Sequence, residues 1–328
     1  MTPRFERLAV LGLGLLGGSV ALAAKARGVA GRVVGATRSP DALADALRRG
    51  AIDAGASYAD AAREADLVVL ATPVFAMAEV VQRIAPVLRS GAVVTDVGSV
   101  KAVLCETLPG LLPRGVSYVG AHPMAGSHLR GLEHARADLF EGAVCIVTSS
   151  PDAVAFERTC EFWRALGAHV IHRDPAQHDA EVAWMSHVPH VLAFAFAGAL
   201  EAAPPAARAV AGAGFRDFTR IAQSDPELWG DILTANRKAL AAPLARALEG
   251  LQDFARALEA NDADGVKRRI AAARAALARI STANCGAQLA GAQSAGRGRR
   301  ETPPATRQPE PSEASRRGGR GRRSDEPQ

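Results

Sequence analysis

Residues 8–19 read Leu-Ala-Val-Leu-Gly-Leu-Gly-Leu-Leu-Gly-Gly-Ser, and this stretch decides the fold of the chain. A short apolar run, typical of a buried strand, passes into three spaced glycines and then into an apolar helical pattern. In that context Gly12 permits a tight turn, Gly14 lets a ligand approach the backbone, and Gly17 allows the helix to pack closely. The helix N-terminus adds partial positive charge. The segment therefore predicts a cradle for the pyrophosphate of a dinucleotide.

Short apolar runs recur along the first half of the chain and alternate with helical stretches of about ten residues. This alternation indicates a parallel sheet that is buried on both faces. The predicted strands are residues 8–11, 32–35, 67–70, 92–96, 116–119 and 143–148. A helix over Pro151–Leu166 and a last strand near His169–His172 complete the pattern.

After Asp174 the strand pattern stops, and alanine-rich helical segments continue to about Ser281. We therefore expect a doubly wound, Rossmann-type α/β domain over residues 1–173, an all-α domain over residues 174–285 and a tail over residues 286–328. The apolar faces of the helical part exceed what one chain needs to cover itself. This excess predicts a dimerisation domain and a homodimer.

The predicted tail carries most of the net charge of +5. From residue 296 onward nine arginines stand against five acidic residues, among many Gly, Pro and Ser residues. Such a composition cannot bury enough apolar surface to offset its ordering entropy, so we expect disorder there. The tail could contact RNA, but the nearly neutral body makes a nucleic-acid partner the less favoured expectation.

Several protein classes are disfavoured by the remaining composition. No uninterrupted apolar run reaches the length of a membrane span, and the N-terminus lacks the layout of a signal peptide. The four cysteines show no metal-binding spacing, so no metal site is predicted. We expect a cytoplasmic protein.

The preference for the cofactor should be set after the second predicted strand, where NAD-binding proteins place an acidic residue against the ribose. That position holds Thr37, Arg38 and Ser39, with no acidic residue. A cation flanked by two hydroxyls suits a 2′-phosphate, which favours NADP. NAD remains the alternative, with Arg38 simply solvated. Further expected contacts of the cofactor are Leu15, Leu16, Thr72 and Pro73.

Three further polar positions are candidates for substrate chemistry. Ser99 follows the strand that ends at Asp96, although a serine there could equally cap a helix. His122 lies on a predicted loop bounded by Gly120 and Gly126. Arg216 and Arg220 are four residues apart and could share a helical face toward a carboxylate, or pair locally with Asp217.

Five motifs, taken in order, resemble the prephenate/arogenate dehydrogenases of tyrosine biosynthesis. They are residues 95–101 (TDVGSVK), 120–126 (GAHPMAG), 139–143 (LFEGA), 185–190 (MSHVPH) and 214–220 (GFRDFTR). The resemblance spans about residues 7–281. It implies oxidative decarboxylation of a small cyclohexadienol substrate, with hydride transfer to NAD(P).

The resemblance also implies roles for particular residues. His122 matches the catalytic histidine at the substrate hydroxyl, and Ser99 matches an assisting serine. Arg216 is expected to bind a substrate carboxylate, with Arg220 as a second contact. His187 resembles a position near the substrate, and Asp179 lies where an acidic residue is associated with arogenate use. Prephenate and arogenate therefore both remain open, and no regulatory ACT domain is expected after the helices.

Two other functions stay open at the level of sequence. One is another NAD(P)-dependent dehydrogenase of the β-hydroxyacid type, although no catalytic lysine is identified in the helical part. The other is a non-enzymatic nucleotide- or RNA-binding protein that acts through the basic tail.

Overall fold

The structure is a computed structural model that describes residues 4–126 and 129–296, without the side chains of Arg208 and of residues 281–296. The described chain divides into two compact units, with the boundary after Gln252. All of the site residues discussed below belong to the first unit. The predicted tail begins at residue 286, whereas the last helix continues to Gly296; residues 297–328 lie outside the described residues.

The first unit contains a six-stranded parallel sheet in the order β3-β2-β1-β4-β5-β6. Its strands are β1 Phe5–Leu11, β2 Ala30–Ala36, β3 Ala54–Gly55, β4 Leu67–Leu70, β5 Val93–Asp96 and β6 Ser117–Val119. The strand order reverses between β1 and β4, which places the glycine turn after β1 at the switch point where such sheets bind ligands. The predicted Rossmann-type fold is thereby confirmed.

A second, three-stranded sheet corrects two of the predictions. It consists of β7 Ala121–Pro123, β8 Val144–Thr148 and β9 His169–Arg173. Residues 143–148 were expected to extend the parallel sheet, but β8 pairs antiparallel with β7 and parallel with β9. His122 consequently lies in a strand, opposite Ile146, and not on a loop. The run was misassigned because a short buried strand carries no signal for which sheet it joins.

Helices cover both faces of the large sheet and dominate the described residues after β9. They are α1 Leu15–Ala26, α2 Pro40–Arg48, α3 Tyr58–Ala62, α4 Met77–Ile84, α5 Ala102–Thr107, α6 Ala153–Ala165, α7 Pro175–Val182, α8 Val188–Ala199, α9 Ala213–Thr219, α10 Pro226–Ala235, α11 Arg237–Glu259 and α12 Ala263–Gly296. Side-chain caps begin several of them, including Ser39 before α2, Ser57 before α3, Asp152 before α6 and Asp225 before α10.

Two apolar clusters lie on opposite faces of the parallel sheet, as expected when every strand is buried on both sides. One cluster contains the edge-to-face aromatic groups Phe140, Phe162 and Trp163 from α6 and the segment before β8. Ile232 of α10 joins the other cluster, so the helical half packs directly against the nucleotide half.

Helices α7 and α8 belong to one continuous helical run, Pro175–Ala202, which includes a π-helical segment at Ala183–His187. Pro189 is accommodated in the first turn of α8. The run is long and apolar enough to cross a membrane by length and composition alone, contrary to the expectation from sequence. Core helices of soluble proteins pass the same test. Only 28% of the apolar window of this run is buried, but His178 and Asp179 within the run are buried and bond to groups of the nucleotide half.

The close packing around Gly17 in the glycine turn predicts how a substitution there changes stability. A Cβ atom at Gly17 would lie 1.8 Å from the carbonyl oxygen of Gly12 and 2.9 Å from the Ala71 side chain. Gly17→Ala should therefore lower the free energy of unfolding by about 1–3 kcal/mol in urea titrations.

Gly14→Ala is the matched control, because its φ of −87° suits any residue and nothing lies within 4 Å of its Cβ position. We expect nearly unchanged stability for this variant. Equal losses in the two variants would contradict the packing argument.

Candidate active site

A cleft of about 610 Å³ opens at the carboxyl ends of β1, β4 and β5. Among the residues expected to bind ligands, those that line it are Gly14, Leu15, Leu16, Thr72, Pro73, Ser99, His122 and Arg220. Residues from α8 to α10 close the opposite wall. The nucleotide-binding half and the helical half therefore both contribute to one cavity.

The glycine turn forms one end of the cleft and fits a dinucleotide. Gly12 has a φ of +106° and packs against the Ala71 backbone, and Gly14 begins α1 with open space above it. A pyrophosphate could approach the free N–H groups of the first turn of α1 there. The Thr72 hydroxyl, also in the cleft wall, is buried and has no hydrogen-bond partner among the described residues. An orphaned polar atom of this kind fits a contact with a bound ligand.

The residues expected to select the cofactor lie at the end of β2, outside the lining of the cleft itself. Arg38 is exposed, and Thr37 is half-buried. The Ser39 hydroxyl caps α2 by accepting a hydrogen bond from the Ala42 amide at 3.2 Å. None of residues 37–39, which directly follow β2, is acidic.

Ser99 and His122 are held by a buried carboxylate, that of Asp96. It accepts hydrogen bonds from the amide of Gly98 at 2.8 Å and from the amide of Ala121 at 3.0 Å. These amides belong to the residues directly before Ser99 and His122. The Tyr118 hydroxyl donates at 2.9 Å, and the buried Lys101 ammonium completes the cluster.

A line of hydrogen bonds leads from His122 away from the cleft. Its Nδ1 lies 2.8 Å from Nε2 of His178, and Nδ1 of His178 lies 2.8 Å from Oδ1 of Asp179. Asp179 also accepts hydrogen bonds from the backbone amides of Lys101 at 2.7 Å and Ala102 at 3.0 Å. His122, His178 and Asp179 are all buried, although His122 reaches the cleft wall.

Burial decides the charge of these groups. It holds the pKa of His122 well below the ordinary value, and nearby His178, Lys101 and His187 lower the pKa further. The pKa of His178 is also lowered by burial, against the opposing hydrogen bond to Asp179. His122 is therefore a neutral imidazole at neutral pH, the form that can accept a proton.

The two arginines differ in position. Arg220 begins a 3₁₀ turn after α9 and lines the cleft. Arg216 lies within α9 and outside the cleft lining, where its guanidinium donates to the carbonyl of Ala211 at 2.8 Å. The two residues are one α-helical turn apart, since the backbone N–H of Arg220 bonds to the carbonyl of Arg216, but only Arg220 belongs to the cleft lining. In the described part of the chain, neither arginine forms an ion pair with Asp217.

Two other residues expected at the substrate lie behind the cleft wall. Asp179 is buried and uses its carboxylate on backbone amides and His178, so it is not a direct partner for a substrate ammonium. His187 is also buried, and its Nδ1 accepts a hydrogen bond from the side-chain amide Nδ2 of Asn236 at 2.9 Å. Spacing in a sequence does not distinguish the lining of a cavity from the layer behind it.

The structure adds residues to the site that the sequence did not assign to it. The rings of His190 and Trp229 stack 3.5 Å apart and nearly parallel, and both residues line the cleft. Arg130 contributes a second cation to the lining and pairs with Asp225. An aromatic residue in a helical pattern gives no sign that it faces a cavity. Trp229 could not have been found from the sequence alone.

Comparisons with known proteins agree with this architecture. Residues 20–172 match a family model described as prephenate dehydrogenase, nucleotide-binding domain, and residues 174–272 match one described as prephenate dehydrogenase, dimerization domain. The chain is 36% identical over 239 residues to a prephenate dehydrogenase of Bacillus subtilis, covering 71% of this chain and 64% of that protein. It is 34% identical over 273 residues to a cyclohexadienyl dehydrogenase of Zymomonas mobilis, covering 79% of this chain and 91% of that protein.

A solved relative has the same fold. The crystal structure of prephenate dehydrogenase from A. aeolicus, in complex with hydroxyphenyl propionate and NAD+, superimposes with a TM-score of 0.77 at 29% identity. The superposition covers 84% of this chain and 98% of the A. aeolicus chain. The fold and site are those of a two-part dinucleotide-binding protein. The chain belongs to the prephenate dehydrogenase family, which confirms the resemblance of the five motifs.

The buried position of His187 predicts a pH dependence of stability. Burial lowers its pKa from 6.5 to about 4, with smaller effects from Asp179, His178 and His190. Below pH 6.5 the imidazole of His187 becomes protonated in the unfolded chain, whereas in the folded chain it is protonated only below about pH 4. The free energy of unfolding should therefore fall between these values, with about 3 kcal/mol due to this residue.

Urea titrations across this pH range give the free energy of unfolding as a function of pH for the wild type and for His187→Gln. The difference between the two slopes measures the contribution of His187. Glutamine retains a hydrogen-bonding group for Asn236 but does not titrate. His169→Gln, at an exposed position, is the control and should keep the wild-type slope. Identical slopes for His187→Gln and the wild type would show that His187 is not held neutral.

Proposed function

We propose that the protein catalyses the NAD(P)-dependent oxidative decarboxylation of prephenate to 4-hydroxyphenylpyruvate and carbon dioxide, a step of tyrosine biosynthesis. The observation that carries this proposal is the buried, neutral His122 in the wall of a cleft that begins at the dinucleotide cradle. Membership of the prephenate dehydrogenase family supports the same reaction. When bound, the nicotinamide cofactor supplies the acceptor for the hydride.

The residues of the chain act on the substrate hydroxyl and carboxylates. His122 accepts the hydroxyl proton as the hydride leaves the same carbon, and Ser99 assists through a hydrogen bond. The bond to the ring carboxylate then breaks, its electron pair enters the ring, and carbon dioxide leaves. His122 returns the proton to the oxygen of the aromatic product, so the phenol keeps its hydrogen. Arg220 binds a substrate carboxylate.

We propose prephenate as the preferred substrate over arogenate on the basis of charge. The described cleft lining contains Arg130 and Arg220 as its charged side chains and no Asp or Glu. Arogenate carries an ammonium where prephenate carries a keto group, and a cation there would lack a carboxylate partner. Asp179, the acidic residue associated with arogenate use, is occupied behind the wall.

The same reasoning from charge favours NADP over NAD. Exposed Arg38 follows β2 at the position where a ribose 2′-phosphate would lie, and no acidic residue stands there to repel it. Both cofactors fit the glycine turn, so the preference depends on the end of β2.

We further propose a cytoplasmic homodimer. The match to a dimerization domain supports the dimer, and so do exposed apolar side chains on α11 and α12. These include Leu248, Leu251, Leu258, Ile270 and Leu277. Apolar surface of this extent is typical of an interface between subunits.

The direct test is reduced-cofactor absorbance after mixing the protein with prephenate or arogenate, each with NADP and with NAD. We expect the fastest turnover with prephenate and NADP. His122→Asn should lower turnover by about 100-fold or more, because it removes the base, while cofactor binding persists. Absence of turnover in all four mixtures would refute the proposed function.

The positions of the arginines predict unequal effects of their removal. Arg220→Ala should raise the Michaelis constant for prephenate by about 10- to 100-fold, the range for losing a charged hydrogen bond. Arg216→Ala is the matched control, since the same guanidinium is removed four residues away, outside the cleft lining. We expect a change of less than about threefold. A larger effect at Arg216 would assign the carboxylate contact to that residue instead.

A further inference from the structure

The line of contacts behind His122 begins at a carboxylate whose oxygens are all engaged. Oδ1 of Asp179 accepts from the Lys101 amide and contacts His178, and Oδ2 accepts from the Ala102 amide. Burial raises its pKa, but the hydrogen bonds from His178 and the two amides outweigh this effect and leave the pKa below its ordinary value. Asp179 is therefore ionised at neutral pH, and an ionised carboxylate can only accept hydrogen bonds.

The orientation of His178 follows from that constraint. Its Nδ1, at 2.8 Å from Oδ1 of Asp179, must carry a hydrogen in order to donate. Burial keeps this imidazole neutral, so it holds a single proton, and its Nε2 presents a lone pair. That lone pair faces Nδ1 of His122 at 2.8 Å. The hydrogen of this second bond must come from His122.

We infer that His178 and Asp179 are positioning residues that fix the tautomer of His122, with the proton on Nδ1 and an unprotonated Nε2 available to the substrate hydroxyl. A neutral imidazole in water exchanges between two tautomers, and only the one with the lone pair toward the substrate can accept its proton. The buried pair selects that tautomer before substrate binds. The inference deepens the proposed function and rests on it only for the identity of the hydroxyl.

Other charged and titratable groups around the pair are consistent with this arrangement. Lys101 from the start of α5 and Asp96 from β5 are buried and paired with each other. The imidazole of His187, from the π-helical segment, has a depressed pKa and stays neutral. None of these groups is within hydrogen-bonding distance of His178 among the described contacts. The two bonds to His122 and Asp179 therefore determine where its proton lies.

The first test reads the tautomer directly and does not depend on turnover. In protein labelled with ¹⁵N-histidine, long-range ¹H–¹⁵N spectra distinguish a protonated Nδ1 from a protonated Nε2, and the His122→Asn variant assigns the signals of His122. We expect a protonated Nδ1 and an unprotonated Nε2 at neutral pH. A protonated Nε2 on neutral His122 would overturn the inference.

The second test uses two amide replacements that keep different halves of His178. His178→Gln places an acceptor near the position of Nε2, whereas His178→Asn keeps a donor near Nδ1 but nothing at Nε2. We expect His178→Asn to lower kcat by about 100-fold or more, as for a misdirected general base. His178→Gln should retain kcat to within about tenfold of the wild type, and the Michaelis constant for cofactor should be unchanged in both.

His169→Asn, at an exposed position of β9, is the control for a histidine-to-asparagine change and should keep wild-type kcat. Equal losses of kcat in His178→Asn and His178→Gln would contradict the inference, because a merely structural role does not distinguish the two amides. If the spectra show the expected tautomer but no substrate is turned over, the proposed function fails and the positioning of His122 stands.

Discussion

The buried carboxylate of Asp96 is the constraint on which the rest of the site depends. A charged pair with no exposure is costly to desolvate and persists only where further hydrogen bonds satisfy it. Asp96 meets that condition with two backbone amides, the Tyr118 hydroxyl and Lys101. Because the amides belong to the residues before Ser99 and His122, satisfying the carboxylate also fixes the ends of β5 and β7. The geometry of the two candidate catalytic residues is thus a consequence of burying a charge.

Charge is separated between the wall of the cleft and the layer behind it. Cations line the cleft, where Arg220 is accompanied by Arg130, which is paired with Asp225. The layer behind holds the ion pair of Lys101 with Asp96 and the imidazole of His178, which burial keeps neutral. In a medium of low effective dielectric, a neutral base can gain a proton at lower cost when an ionised carboxylate lies two hydrogen bonds away. Asp179 has that relation to His122.

The local sequence motifs predicted the glycine turn and most of the candidate site residues. They did not predict which residues contact one another in the folded chain. The glycine spacing after residues 8–11 is tied to a strand–turn–helix unit, and the structure forms that unit with Gly12 and Gly17 in tight contact. The separate sheet of β7, β8 and β9 was missed because apolar runs do not encode their partners. Asp179 was expected to face the substrate, since one sequence cannot show which side of a wall a residue occupies. Trp229 carried no signal at all.

The helical half therefore does more than close the cleft. Asp179 lies at the start of this half, yet its carboxylate satisfies the first amides of α5, which otherwise have no acceptor. The adjacent His178 reaches His122 from the same turn of α7. Any displacement of α7 would leave amides of α5 unsatisfied and remove the hydrogen bond on His122 at the same time. Because both losses are costly in a buried layer, the two halves hold His122 in one orientation together, and neither half could do so alone.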